Sequence, residues 1–440
     1  MNPRKIEMFT TNHIKLSIVI LITALVAMGC STNSSNNGSA TIEGSVQPES
    51  SKQKVAASSV EGAVVTAARV TSEGSFETME GTETETNASG NFMLEVDVEA
   101  AENIVIVAKK EGNEWRGFLS SEVENGSSVT LKPINTESTA ESSVFAEVVA
   151  SGNADIVQKS DIEAVVTNNV ASEVESGLTS SAQIAAALKN SAEARVEFYS
   201  EMMEDNSEEV LEETYELLAE AQFQLESELA ASSSAEARSE AYDVFIESTV
   251  NAYVNAGLDA SATAKALEMW SRVTVNSMTA VSSEIKNDVR AQASLLAATA
   301  VDLAVQAEAE ATEMSESSKQ AIIDAGVELR SEIKASAGVA SEVEAAFEAY
   351  HDEVRNTMES DTAFEATVIL NIDNEINSDN GAKSNFSSSI SGILKASAVF
   401  DVYESFFTSI QGTVESNLSG SSESEIEAVS QIMILINLAS

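Results

Sequence analysis

Apolar residues recur every three to four positions along most of the chain after residue 135. Val343, Phe347 and Tyr350 form part of one such stripe, and this spacing places the side chains on one face of an α-helix. Proline interrupts helix interiors, and none occurs after Pro133. The pattern predicts a large all-α helical bundle domain over residues 136–440, with roughly nine to eleven helices.

Local signals indicate where some of these helices begin and end. Ser341-Glu342-Val343-Glu344 has the form of a capping box, in which a serine and a glutamate satisfy backbone amides of the first turn. Glycine often ends a helix because it readily adopts a left-handed conformation. We therefore expect helix breaks at Gly177, Gly257, Gly338 and Gly381.

The last apolar run lies at residues 432–438, with Asn437 as its one polar residue. A helix that crosses a bilayer needs about 20 apolar residues, so this run is too short. We interpret it as a final helix that is buried in the bundle. Two alternatives are a helix that docks on a partner protein and an interfacial contact with a membrane.

The chain before residue 135 has a different pattern, with short segments rich in Val, Thr and Ile between turns that contain glycine. Such segments are typical of strands, and they predict a small all-β sandwich over residues 41–135. Ile104-Val105-Ile106-Val107 is apolar at every position, which suits a strand at the centre of the sandwich. The predicted strands are residues 40–46, 63–72, 81–87, 91–98, 103–110, 115–121 and 127–132.

Three segments of this region carry a resemblance to a known family. Residues 41–46 read Thr-Ile-Glu-Gly-Ser-Val, residues 60–65 read Val-Glu-Gly-Ala-Val-Val, and residues 84–92 read Thr-Glu-Thr-Asn-Ala-Ser-Gly-Asn-Phe. They resemble the first two strands and a hairpin of carboxypeptidase regulatory-like domains, in which Gly90 would permit the turn and Phe92 would fill the core. The resemblance implies a transthyretin-like fold without catalytic residues of its own. The alternative is a generic immunoglobulin-like sandwich.

The first thirty residues have the layout of a secretory signal. Basic residues at positions 4, 5 and 15 precede an apolar run over residues 18–28, which is too short to span a bilayer but suits the core of a signal. The run leads into Val26-Ala27-Met28-Gly29-Cys30, which resembles the lipobox of bacterial lipoproteins. The resemblance implies a signal peptide at residues 1–29, cleavage before Cys30 and lipid on its thiol. The alternative is an uncleaved N-terminal signal anchor.

The residues after Cys30 support a lipid anchor. Residues 31–39 contain no apolar side chain, and a segment of this kind cannot bury enough surface to fold. We therefore predict a flexible tether over residues 30–40, bound to membrane lipid through acylated Cys30, and a location in the cell envelope. The residue after the cysteine is Ser31 and not Asp. In bacteria with two membranes, this resembles the pattern of lipoproteins that are sorted to the outer membrane.

Charge excludes one class of partner. The formal net charge is −47, whereas a protein that binds nucleic acid needs a basic face to contact phosphates. We therefore expect no nucleic-acid partner. The acidic excess favours solubility, association with cations or adaptation to high salt, and a solvated acidic surface is the simplest interpretation.

Few residues could support metal-dependent or nucleophilic chemistry. Cys30 is the only cysteine, and His351 would be the only histidine after cleavage. The mature chain therefore has neither an internal disulfide nor the ligands for a zinc site built from cysteine and histidine. A Ser-His-Asp arrangement would have to use His351, which we interpret as a polar position on the flank of a helix. No cofactor is predicted.

One segment is rich in oxygen atoms that could bind a cation. Asp373, Glu375, Asn377 and Asp379 alternate along it, and calcium prefers carboxylate and amide oxygens. An EF-hand loop begun at Asp373 would place Ser378 where glycine is required. The segment is better interpreted as a helix end and a loop, so these four residues are weak calcium candidates and no metal site is predicted.

Two classes of function follow from these observations, with a third beside them. We favour a non-enzymatic surface module, in which the sandwich is a spacer or a binding platform and the helical domain contacts an envelope protein or a glycan. The main alternative is a hydrolase of the glycoside-hydrolase type, which uses two carboxylates, in the helical domain. The third is a structural envelope protein adapted to high salt.

Overall fold

The computed structural model describes residues 38–47, 60–97, 103–119, 125–203, 207–231, 235–390 and 396–438. The predicted signal peptide, Cys30 and most of the predicted tether lie outside the described residues. Within the described residues, eight strands are followed by fourteen α-helices. The predicted order of a β-region and a large helical region is therefore confirmed.

The β-region (residues 39–130) forms two sheets. Its strands are β1 (Ser39–Ser45), β2 (Val64–Val70), β3 (Phe76–Thr78), β4 (Thr84–Glu85), β5 (Asn91–Asp97), β6 (Ile104–Lys110), β7 (Asn113–Phe118) and β8 (Ser128–Thr130). One sheet has the order β5-β1-β8, in which β1 is antiparallel to β5 and parallel to β8. The other has the order β3-β2-β6-β7, and β4 also pairs with β2.

Most of the predicted strands agree with the structure to within three residues, and the exceptions have local causes. The strand predicted at residues 81–87 shrinks to the two residues of β4. Beside it, the hydroxyls of Thr82 and Thr86 accept hydrogen bonds from the backbone amides of Ala67 and Ala63 (3.1 and 2.9 Å), so side chains take the place of strand pairing. The pattern misses β3, whose three residues are too few to show a period.

Strand β6 is buried on both faces, which explains its unbroken apolar sequence. Ile104 and Ile106 pack against the other sheet, in the core that the two sheets share. Val105 and Val107 point the opposite way and pack with helical residues such as Val144. The apolar run therefore reflects cover by a helix on the outer face of its sheet, in addition to a central place between the sheets.

The helical region contains fourteen α-helices within the described residues, which corrects the prediction of nine to eleven. They are α1 (Thr136–Ala150), α2 (Lys159–Val165), α3 (Asn168–Ser176), α4 (Ser181–Met203), α5 (Glu208–Ala231), α6 (Ala235–Asn255), α7 (Ala260–Ser277), α8 (Ser283–Glu310), α9 (Glu316–Ala335), α10 (Ala340–Ser360), α11 (Ala366–Ile376), α12 (Ala382–Ile390), α13 (Ala396–Asn417) and α14 (Glu423–Leu438). The predicted number of helices was too low because α2, α3 and α12 have only seven to nine residues. Such helices make little more than two turns, which is too short to show a clear apolar period. None of the described helices combines the length and the apolar content that a membrane crossing requires.

The predicted glycine breaks are confirmed, but one predicted helix start is wrong. Gly177 ends α3 in a left-handed conformation with φ of 74°. Helix α10 begins after Val339, so the predicted capping box at Ser341 lies inside the helix and does not cap it. Ala337 and Gly338 both have positive φ and turn the chain into α10 before Ser341 is reached. The other two predicted breaks also lie between helices: Gly257 and Gly381.

The C-terminal helix α14 is buried, as predicted. All residues from 432 to 438 are buried, and the apolar ones join the main core of the helical region. Asn437 is fully buried, and its Nδ2 donates a hydrogen bond to the carbonyl oxygen of Met433 (2.8 Å). This bond lets the amide lie among apolar side chains. Burial favours the core interpretation of this segment over a docking helix or a membrane contact.

Candidate functional site

Three buried charged side chains meet where the β-region joins the helices, and we call Lys132, Glu141 and Glu163 the junction cluster. Lys132 follows β8, whereas Glu141 lies on α1 and Glu163 on α2. The Lys132 ammonium contacts the Glu141 carboxylate and lies 2.8 Å from Oε1 of Glu163. The three side chains are 9%, 0% and 1% exposed. The cluster therefore ties two helices to the end of the last strand.

The first turn of α1 holds this cluster in position. Asn135 Oδ1 accepts a hydrogen bond from the Ser138 amide (2.9 Å), and Ser138 Oγ accepts one from the Asn135 amide (2.8 Å). The Ser138 hydroxyl also donates to the carbonyl oxygen of Arg116 on β7 (2.7 Å). This reciprocal cap fixes the start of the helix against the sheet, and Glu141 follows one turn later.

The pKa of Glu141 is raised to about 7. Burial is the largest influence, because a dry site disfavours the charged carboxylate. The ammonium of Lys132 acts in the opposite direction, and the charge of Glu163 adds to the rise. The site therefore favours the neutral form of Glu141.

A second buried cluster joins α8 and α9 around Asp302. The Asp302 carboxylate is fully buried, contacts the Arg330 guanidinium and accepts a hydrogen bond from Gln306 Nε2 (2.7 Å). Burial raises the pKa of Asp302, and Gln306 and Arg330 oppose the rise. Gly326 lies opposite, where a Cβ atom would come 1.7 Å from Asp302 Oδ1. The missing side chain at Gly326 is what lets the two helices approach.

A third cluster fastens α7 to the C-terminal helices. Arg272 donates hydrogen bonds to Glu268 Oε1 (2.8 Å), to the Tyr403 hydroxyl (2.7 Å) and to the carbonyl oxygen of Leu438 (3.0 Å). The Tyr403 hydroxyl donates to Glu268 in turn, and the Phe386 ring centre lies 5.4 Å from the guanidinium. Burial, with a contribution from Glu268, holds the pKa of Tyr403 well above its usual value. The cluster is a buried ion-pair network that closes the bundle.

His351 is buried, so the prediction of a polar position on a helix flank is wrong. It lies on α10, and its Nε2 is 3.0 Å from Oδ1 of Asp373 on α11. Asp373 also accepts hydrogen bonds from Arg355 Nη1 (3.3 Å) and Asn377 Nδ2 (2.8 Å). Burial would raise the pKa of Asp373, but His351 and Arg355 outweigh it and lower the pKa. His351 therefore takes part in a polar contact between two helices.

The four calcium candidates are directed to different neighbours. Asp373 contacts His351, and Asn377 donates a hydrogen bond to Asp373. Glu375 Oε2 accepts a hydrogen bond from Asn417 on α13 (3.3 Å), and Asp379 is exposed. The segment is the end of α11 and a loop, as predicted. Among the described residues, no three His, Cys, Asp or Glu side chains are grouped as metal ligands would be.

Asp361 connects the loop after α10 to the start of α9. Its carboxylate accepts hydrogen bonds from the Ser315 amide (2.9 Å), the Ser315 hydroxyl (2.8 Å) and the Ala363 amide (2.8 Å). Burial alone would raise the pKa of Asp361, but hydrogen bonds from Ser318, Ala363 and Ser315 lower it to about 2. The ionised carboxylate is therefore the form that stabilises the fold.

Asp361→Asn should lower the free energy of unfolding by about 1–2 kcal/mol at pH 7, since hydrogen bonds to a charged acceptor are replaced by weaker ones. The pKa of Asp361 is lower in the folded than in the unfolded chain, so its contribution is present above about pH 4 and is lost as the pH falls towards 2. Urea unfolding at several pH values measures this, with the exposed Asp379→Asn as the control for net charge. A difference that stays constant down to pH 2 would contradict the assignment.

A shallow surface depression lies between α5 and α6. Leu225, Ala241 and Phe245 line it, beside Gln224 and Glu228. Sites that surround a small organic ligand usually have volumes of roughly 300–1,000 Å³, whereas this depression encloses no cavity. The junction, Asp302 and Arg272 clusters lie elsewhere in the fold.

Sequence reasoning missed all three clusters, although one of them has a readable signal. Asp302 is the one charged residue between positions 293 and 305, and a lone acid in an apolar helix needs a buried partner. Gly326 within a helical pattern indicates close packing at that point. Glu141 and Glu163 carry no comparable signal, because glutamate is common along these helices.

Comparison with known protein families, with curated proteins and with solved structures finds no match to this chain. Its function must therefore be inferred from the chemistry of its own residues.

Proposed function

We propose that this chain is a lipid-anchored protein of the bacterial cell envelope that acts as a non-enzymatic binding or structural body. The observation that carries the anchor is Val26-Ala27-Met28-Gly29-Cys30 at the end of a short apolar run. The polar residues after Cys30 support it, because a flexible tether keeps a folded body clear of the membrane surface. In bacteria with two membranes, the proposed location is the outer membrane.

The use of buried charge supports a structural role for the helical region. The junction cluster, the Asp302 and Arg272 clusters and the pair of His351 and Asp373 each connect different helices or strands. Catalytic acids and bases must reach the atoms of a substrate, whereas these carboxylates contact cationic side chains inside the fold. Their arrangement favours a binding or structural body over a hydrolase.

A transthyretin-like fold for the β-region is part of the same proposal. The three segments that resemble carboxypeptidase regulatory-like domains fall on β1, at the start of β2 and on β4 and β5. Gly90 has φ of 79°, and a Cβ atom there would come 2.8 Å from the Val46 carbonyl oxygen. Phe92 is buried in the core that the two sheets share. A fold of this kind would provide a platform for a partner.

Cys30→Ser should move the protein from the membrane fraction to the soluble fraction while leaving its thermal unfolding unchanged. Without the thiol, no atom is available to carry the lipid. Membrane fractionation of the producing cells measures this, with Ser31→Ala as the control that keeps the cysteine. A variant that stays with the membrane would contradict the lipid anchor and favour an uncleaved signal anchor.

Cross-linking in native membranes, followed by capture of the tagged chain, tests the binding role. Reproducible recovery of one envelope protein or glycan, absent when an unrelated lipoprotein is captured, would support it. Hydrolysis of a glycan by the purified chain, lost on changing a single carboxylate, would contradict the non-enzymatic assignment.

A further inference from the structure

The junction cluster has an unusual composition for a buried site, independently of the proposed function. One ammonium contacts two carboxylates, and each of the three side chains belongs to a different segment of the chain. Lys132 closes the β-region, and the two glutamates lie on the first two helices. Any separation of the sheet from these helices must therefore expose the cluster.

The surroundings of the cluster are apolar. The rings of Phe118 and Phe145 stack with centres 5.3 Å apart, and Lys132 Nζ lies 5.7 Å from the Phe118 ring centre. Val144 of α1 and Ile162 of α2 are completely buried and belong to the same apolar core as the two rings. Few water molecules could solvate charge in such a site, so its net charge matters energetically.

Other charged groups lie on the elements that pack around Glu141. Glu137 precedes it by one turn of α1 and is 2% exposed. Lys159 stands one turn before Glu163 on α2, with its Nζ 5.8 Å from the Phe145 ring centre. The charged groups that shift the pKa of Glu141 are Lys132, which lowers it, and Glu163, which raises it.

We propose that the junction between the β-region and the helices is a proton-sensitive contact, in which Lys132, Glu141 and Glu163 hold one proton that is released when the junction opens. In the closed junction Glu141 carries the proton, and the Lys132 ammonium lies against both glutamates. In the open junction water solvates Glu141, which then ionises at its ordinary pKa. Opening therefore releases the proton at any pH between the ordinary pKa of Glu141 and its raised pKa in the closed junction.

The direction of the pH effect follows from this release. The pKa of Glu141 is higher in the closed than in the open state, so the stabilising contribution is complete below about pH 4.5 and is lost as the pH rises through about 7. Release of one proton allows the opening equilibrium to grow up to ten-fold per pH unit within this window. The junction should be tightest in mildly acidic conditions and loosest above neutral pH.

Hydrogen exchange of the full chain in detergent, corrected for the intrinsic pH dependence of amide exchange, tests the proposal. Peptides from α1 and from residues 128–134 should lose protection between pH 5 and pH 7, by up to ten-fold per unit. Glu141→Gln removes the titrating group and should abolish the pH dependence. Glu147→Gln, an exposed change on the same helix, should keep the wild-type profile.

Several results would overturn the proposal. One is wild-type protection of α1 that does not change between pH 5 and pH 7, and another is a Glu141→Gln profile equal to that of the wild type. If Glu141→Gln does not fold, Glu141→Met replaces the acid with an apolar side chain of similar length and gives the same comparison. Mass spectrometry gives one more test. If Lys132 and Glu141 were joined by an amide bond, the mass would be lower by one water, and Glu141 would have no carboxyl group to hold the proton. That result would also overturn the proposal.

Discussion

Gly326→Ala should lower the free energy of unfolding by about 3 kcal/mol or more, although alanine is the better helix former. The new Cβ atom would lie 1.7 Å from Oδ1 and 2.1 Å from Cγ of Asp302. Either α9 must move away from α8, or Asp302 must turn and lose the contact with Arg330. Overpacking costs about 1–3 kcal/mol, and a buried charge without its partner costs about 3–5 kcal/mol.

Gly412→Ala is the matched control for this substitution. Gly412 also lies inside a helix, α13, but a Cβ atom there would meet no other atom within 4 Å. Only helix propensity then changes, so this variant should gain about 0.5–1 kcal/mol. Urea unfolding followed by far-UV circular dichroism measures both. If Gly326→Ala were as stable as Gly412→Ala, the close approach of Asp302 would be wrong.

The periodic signals in the sequence predict most of the fold because they arise from local geometry. The alternation and the turns before residue 135 locate most strands, and the stripe of Val343, Phe347 and Tyr350 identifies a buried face of α10. Length limits this method, since β3 and the shortest helices contain too few residues to show a period. The prediction of a buried C-terminal helix was correct because the run at 432–438 is apolar on all sides.

The buried clusters could not be predicted in the same way, because their members are far apart in sequence. Glu268 and Tyr403 contact each other across 135 positions, and no local period relates them. The burial of His351 also depends on Asp373, which is supplied by another helix. Pattern alone places glutamate and histidine on solvated faces, and only the packing of helices shows which of them are enclosed.

Arg272→Met should lower the free energy of unfolding by about 3 kcal/mol, because it leaves the buried Glu268 carboxylate without its cation. The variant also loses the hydrogen bonds to the Tyr403 hydroxyl and to the Leu438 carbonyl oxygen. The end of α14 should therefore become more accessible, and limited proteolysis should cleave near the C-terminus sooner than in the wild type. Urea unfolding measures the change in the free energy of unfolding, and the proteolytic pattern shows which part of the chain becomes accessible.

The pair of Lys189 and Glu193 provides a control with the same spacing on another helix. Like Glu268 and Arg272, these two residues are separated by four positions. However, Lys189 and Glu193 are 42% and 54% exposed, with 3.5 Å between Nζ and Oε1. Lys189→Met should therefore change stability by less than about 0.5 kcal/mol. Replacing both Arg272 and Glu268 by Met should cost less than Arg272→Met alone, since no buried charge is then left behind. A double variant that is less stable than Arg272→Met would show that the cluster stabilises the bundle through packing of the two side chains and not through their charges.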